Sequence, residues 1–184
     1  MALRVFGTPD LRGLDTGLLV ASNHQSYLDP VAVGISIGEP LHYLARRSLF
    51  AVPGFGALIR ALNTHPISRG EVDSSALKTV MRLLRSGEKV LVFPEGTRSR
   101  DGALGRFKPG AASIAIRCGV PLLPVCVEGA YRAWPRTSRL PRFARVGVAY
   151  GKLLQTGGAN AEELTQRLRA EIERIQAFLR RALN

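Results

Sequence analysis

Short apolar runs that read as buried strands alternate along this chain with segments of helical period, and that alternation restricts the possible folds more than any other feature. The strand-like runs lie near residues 18–22, 41–45, 65–67, 89–93, 122–127 and 144–150. Between them, 73–86 reads as a helix, with Asp73 placed to cap it, Leu77, Val80, Met81 and Leu84 on one face, and Gly87 placed to end it. The order implies an α/β fold, with a mostly parallel or mixed central sheet flanked by helices. At 184 residues the chain has the length of a single domain, 1–184, and buries most of its apolar surface without metals or disulfides. It has no internal repeat and no low-complexity segment.

The last segment, about 160–183, predicts an amphipathic helix. Asn160 stands as N-cap with Glu163 at the third position, and Leu164, Leu168, Ile172, Ile175, Leu179 and Leu183 form one stripe. Packing that stripe on the domain is the ordinary reading, and an interfacial membrane helix is the sharper alternative.

Directly after Leu18-Leu19-Val20-Ala21, residues 22–30 read Ser-Asn-His-Gln-Ser-Tyr-Leu-Asp-Pro. A histidine is the one side chain whose unperturbed pKa, about 6.5, lets it take a proton near neutrality, and a carboxylate on its far nitrogen fixes the tautomer. His24 and Asp29 meet if the chain leaves the strand and turns straight into a helix. Taken alone, the pair reads more readily as a solvated loop histidine with Asp29 capping the next helix, since such a spacing is common by chance.

Three further segments change that balance. Phe93-Pro94-Glu95-Gly96-Thr97-Arg98-Ser99 follows another buried strand, at the strand end where α/β sheets carry their sites. Glu95 offers an acceptor, Gly96 lets backbone approach a ligand closely, and the planar fork of Arg98 suits a phosphate. His65-Pro66-Ile67-Ser68-Arg69-Gly70 ends in a second arginine. Phe107-Lys108-Pro109-Gly110 leads through a small-residue helix into Gly119-Val120-Pro121-Leu122-Leu123-Pro124-Val125.

In this order and spacing the four segments resemble the glycerolipid acyltransferase family, which includes the 1-acylglycerol-3-phosphate acyltransferases. Its Asn-His-x4-Asp motif is met by Asn23, His24 and Asp29, and its Phe-Pro-Glu-Gly-Thr-Arg-Ser motif at every position from Phe93 to Ser99. The second motif is met by Ile67 and Arg69, with His65-Pro66 where an aromatic is frequent; the fourth is met by Pro121, Pro124 and Val125. Family members often carry lysine where Tyr43-Leu44-Ala45-Arg46-Arg47 has arginines. The likeness covers about 12–150.

The resemblance implies a glycerol-3-phosphate acyltransferase-like fold and acyl transfer from acyl-CoA or acyl carrier protein to the free hydroxyl of a lysophospholipid, first of all 1-acylglycerol-3-phosphate. His24 and Asp29 would be catalytic. Glu95, Gly96, Thr97, Arg98 and Arg69 would bind substrate, with Lys108 and Arg46 as lesser candidates, and amides around Gly96 would stabilise the oxyanion. No cofactor or metal is implied: Cys118 and Cys126 lack partners to complete a metal set and read as plain buried residues, and no phosphate loop or dinucleotide fingerprint occurs. Another lysolipid acceptor, such as lyso-ornithine lipid, is the alternative within the class. A non-catalytic membrane-surface binding protein is the alternative outside it.

Net charge is +12, and 22 of the 26 cations are arginine. From Arg132 to Arg145 five arginines occur without an acid, with Trp134 and Phe143 among them. Such a stretch binds anionic lipid headgroups or nucleic acid, or is simply a solvated loop. A lipid substrate favours the membrane, and nucleic acid is not expected because no recognition motif accompanies the charge. No run reaches 18 apolar residues and no export signal opens the chain, so a peripheral protein on the cytoplasmic membrane face is expected, or one whose preceding helices are missing. Gly34-Ile35-Ser36-Ile37-Gly38 matches the esterase elbow but lies within the expected helix after Asp29-Pro30, and reads as small residues packing it on the sheet.

Overall fold

The computed structural model describes residues 2–67, 74–138 and 140–183. A five-stranded sheet runs in the order β1-β7-β6-β2-β5, formed by β1 (Ala2–Phe6), β7 (Arg145–Tyr150), β6 (Leu122–Glu128), β2 (Leu18–Ser22) and β5 (Lys89–Val92). All neighbouring pairs are parallel except β6 with β7. A parallel pair, β3 (Tyr43–Arg46) with β4 (Thr64–Ile67), extends the sheet past β5. Its attachment is short: the His42 amide donates to Lys89 O at 2.8 Å and His42 O accepts the Leu91 amide at 2.9 Å.

The mixed sheet and flanking helices match the expected α/β class. Each expected strand is present, as are the inner helix α3 (Ser74–Arg85) and the small-residue helix α4 (Gly110–Cys118). The cap expected of Asp73 lies outside the described residues. β1 was not expected. It is short, half-exposed, interrupted by Arg4, and pairs along one edge only, with β7.

β2 is buried at every position, so both of its faces need cover. Leu19 and Ala21 face α3, α4 and α6 (Ala161–Leu183), while Leu18 and Val20 face α1 (Asp29–Ile37) and α5 (Ala130–Ala133). This is why its sequence reads as an unbroken apolar run. α6 settles the alternative left open for the last segment. Leu164, Leu168, Ile172, Ile175 and Leu179 are buried against the sheet, and Asn160 Oδ1 accepts the Glu163 amide at 2.8 Å as an N-cap. Cys126 is buried in the same layer, and its thiol pKa is pushed well up by burial; Cys118 is only half-buried, at the solvent end of α4.

Pro124 sits in an interior strand, where the missing N–H should cost a ladder bond. Here the ladder is already open. The Pro124 carbonyl accepts the Gly151 amide at 2.8 Å, and the next β6 bonds on that side join Leu122 to Leu154, so the chain bulges away opposite the proline. The esterase-like serine is structural: Ser36 is buried in α1, bonded to the Val33 carbonyl at 3.0 Å and the Tyr150 hydroxyl at 2.6 Å. At Gly34 a side chain would collide with the Tyr43 hydroxyl, so small residues are what let α1 close on the sheet.

Because α6 covers one face of the sheet through a single stripe, Leu168→Ala is expected to lower unfolding free energy by about 2 to 5 kcal/mol, read from urea denaturation.

Candidate active site

Parallel strands point their carboxyl ends one way, so β2, β5 and β6 deliver the segments after Ser22, Val92 and Glu128 to one edge of the sheet. Asn23 fixes the first of them. Its side-chain amide donates to Val127 O and its Oδ1 accepts the Val127 amide, at 2.9 and 2.8 Å, which continues the β2–β6 pairing by one rung with a side chain.

The turn into α1 then forms around a carboxylate. Asp29 is fully buried, and its Oδ2 accepts three bonds: from His24 Nδ1 at 2.8 Å, the Gln25 amide at 2.6 Å and the Ser26 amide at 2.7 Å. Burial pushes its pKa up, while His24 and the two amides pull it back. Asp29 therefore faces back to the histidine and does not cap the helix that follows, the alternative the sequence allowed. Since a carboxylate accepts, Nδ1 carries the hydrogen and Nε2 keeps its lone pair. The ring is stacked on Phe93 with centroids 3.9 Å apart and 16° between planes, which holds it against the start of the Phe93–Ser99 motif.

Glu95 joins that motif to the histidine. Its Oε1 accepts the His24 amide at 2.8 Å and its Oε2 accepts the Gly105 amide at 2.9 Å, and the Ser99 amide returns to His24 O at 2.7 Å. Burial raises the Glu95 pKa against these bonds. Both oxygens thus already hold backbone, a role the sequence did not suggest. Of the amides around Gly96, its own is taken, donating to Phe93 O at 2.9 Å. Gly96 has φ +69°, and a Cβ there would stand 3.3 Å from Lys108 Nζ, so glycine serves both the turn and the approach of the lysine.

Arg98 lies over Tyr27, its Cζ 3.5 Å from the ring centroid, and Tyr27 leans on Trp134 with centroids 5.3 Å apart. The guanidinium Nη1 is buried and has no hydrogen-bond partner among the described residues. A cation held by an aromatic face with a donor unspent is suited to an incoming anion. Thr97 is exposed in the same turn, and Arg46 is exposed at the carboxyl end of β3, on the same edge of the sheet. Arg69 lies outside the described residues. Among the described residues no cluster of His, Cys, Asp or Glu could hold a metal. The structure thus groups His24, Asp29, Glu95, Gly96, Arg98 and Lys108, and adds Phe93, Tyr27 and Gly105.

This chain belongs to the acyltransferase family: the family profile described as Acyltransferase matches residues 5–128, which takes in all four motif segments. Among its relatives, the chloroplastic 1-acyl-sn-glycerol-3-phosphate acyltransferase BAT2 of Brassica napus is 37% identical over 134 residues, covering 72% of this chain and 39% of that protein. The 1-acyl-sn-glycerol-3-phosphate acyltransferase of Pseudomonas aeruginosa is 30% identical over 179 residues, 91% of this chain and 68% of that one. The crystal structure of the 1-acyl-sn-glycerophosphate acyltransferase PlsC from Thermotoga maritima superimposes with a TM-score of 0.83 at 29% identity, covering 97% of this chain and 72% of that one. The chain spans about four-tenths to half the length of the two plant relatives, BAT2 and LPAT1 of Arabidopsis thaliana.

Removing the Glu95 carboxylate strands two part-buried amides, one of them in the His24 loop. Glu95→Ala is expected to cost about 2 to 5 kcal/mol and Glu95→Gln, which keeps one acceptor, clearly less, as measured by urea denaturation.

Proposed function

We propose that this chain transfers a fatty acyl group from acyl-CoA or acyl carrier protein to the free hydroxyl of 1-acylglycerol-3-phosphate, giving phosphatidic acid. The observation that carries the reading is the 2.8 Å bond from His24 Nδ1 to buried Asp29, which leaves Nε2 as a base, while the turn tied to the same loop through Glu95 carries an arginine with an unspent donor. Nε2 takes the acceptor hydroxyl's proton as that oxygen attacks the thioester carbonyl. Collapse of the tetrahedral oxyanion breaks the C–S bond, and the imidazolium returns the proton to the departing thiolate. Asp29 steadies the imidazolium between the two transfers. No covalent acyl-enzyme and no cofactor enter the scheme.

Arg98, fixed by Tyr27, would bind the acceptor phosphate, with Lys108 over Gly96 as a second cation and Arg69 and Arg46 as further ones. Glu95 acts first as the tie between the loops; each of its oxygens keeps a lone pair that a glycerol hydroxyl could use. Thr97 completes the exposed side of the turn. An acceptor with an anionic phosphate suits this set better than an ornithine headgroup.

The second partner in this reading is an anionic membrane surface, met peripherally. The segment between α5 and β7 carries Arg136 and Arg142 with Leu140 and Phe143 exposed at 74% and 81%. Apolar tips set among arginines favour a charged lipid interface, each cation contributing about 1 kcal/mol near it. Among the described residues, no helix is long and apolar enough to cross a membrane.

The test is an assay of the purified chain with lysophosphatidic acid and labelled acyl-CoA, beside acyl carrier protein as donor and lyso-ornithine lipid as acceptor. His24→Ala is expected to lower turnover by about 10²-fold or more with the fold intact by circular dichroism. Retention of parental turnover removes His24 from its role. Arg98→Ala is expected to raise KM for the phosphate-bearing acceptor about tenfold or more with little change in KM for the donor. A change confined to the donor refutes the phosphate assignment.

A further inference from the structure

β3 ends at the catalytic edge, and the chain returns to the start of β4 through a 3-10 turn, Arg47–Ala51, and a short helix α2 (Phe55–Ala61). This crossover has its apolar residues on both sides. Inward, Ile59 is buried, and Gly56 sits so close to the Phe50 carbonyl that a side chain would collide with it. Outward, Val52, Phe55, Leu58 and Leu62 are 44% to 54% exposed. The spacing of three and four residues from Phe55 through Leu58 to Leu62 sets these three on one face of α2 turned to solvent, and Val52 is exposed in the turn that leads into the helix. An exposed leucine alone means little, but three large apolar side chains on one helix face, with exposed Val52 just before them in the chain, form a patch.

The charge around the stripe is of one sign. Arg46, Arg47 and Arg60 are exposed beside it, and no Asp or Glu occurs from residue 40 to residue 70. An apolar ridge with a basic border fits the acyl and headgroup zones of an anionic bilayer. Its place in the sheet adds to this. The crossover leaves the carboxyl end of β3, on one side of the His24 loop, and the Leu140–Phe143 segment enters β7 from the same edge on the other side.

We infer that the crossover 47–62 is a second membrane-docking element, whose outward stripe enters the surface of an anionic bilayer, so that the chain rests on the membrane at both flanks of the active site. The inference rests on the acyl-transfer reading, since a lipid acceptor is what calls for such a posture. Arg46, already among the further cations for the acceptor phosphate, then also borders the docking face.

Phe55→Asp/Leu58→Asp tests it, because both side chains are exposed and the core is untouched. Mixed phosphatidylglycerol and phosphatidylcholine vesicles should sediment the parent chain, and the double variant should partition about tenfold or more weakly with an unchanged melting curve. An environment-sensitive fluorophore on Leu58→Cys, in a Cys118→Ser background, should shift to the blue on these vesicles and much less on pure phosphatidylcholine. Equal binding by the double variant, or an unshifted probe, overturns the inference. So does a parent chain that dimerises in solution and loses the dimer on the same substitutions, because the stripe is then an interface between copies. Acyl transfer to a short-chain, water-soluble lysophosphatidate separates the two readings: the double variant should keep the parent's rate, and a parent inactive there counts against the chemistry while vesicle binding still decides the ridge.

Discussion

One buried oxygen organises the working edge of this molecule. Asp29 Oδ2 takes three donors within 2.8 Å, two of them backbone amides of the segment that carries His24. A carboxylate without access to water needs such partners, and the chain can supply them only by folding the five residues before it into one tight turn. The path of the loop, the orientation of the imidazole and the tautomer are therefore consequences of one desolvated charge. The helix that Asp29 begins is anchored by α1's own packing on the sheet, so the charge sits on a rigid support.

The chemical parts of the site were legible in the sequence because they are short and local. The spacing from His24 to Asp29, the turn from Phe93 to Ser99 and the strands that present them each lie within about ten residues, where periodicity and turn chemistry speak directly. What escaped was decided by contacts across long stretches of chain. Glu95 read as a ligand for substrate, yet its oxygens meet amides 71 and 10 residues away. Phe93 read as the last residue of a strand, and only the assembled sheet lays His24 on its ring. That the Gly96 amide closes on Phe93 O could not be read either, because nothing in the sequence tells which carbonyl a turn closes on.

Secondary structure followed the same division. β2 and β5 declare themselves as dense apolar runs because helices cover both faces of the sheet there. β1 does not, since an outer strand with Arg4 at its centre has neither the density nor the alternation that marks a strand. Period alone gave the C-terminal helix its buried stripe, but in α2 an equally regular row points outward. The pattern reports that a face exists and leaves open what it faces.

Glu95 bridges the histidine loop to the turn that carries Arg98, and Ser99 closes a second strut back to His24 O. With the two loops riveted together in this way, the gap between imidazole and guanidinium becomes a built-in gauge. In the proposed reaction it would favour acceptors whose nucleophilic oxygen and anionic group lie a matching stride apart, and variation in chain length or headgroup decoration would have to be accommodated outside these two loops.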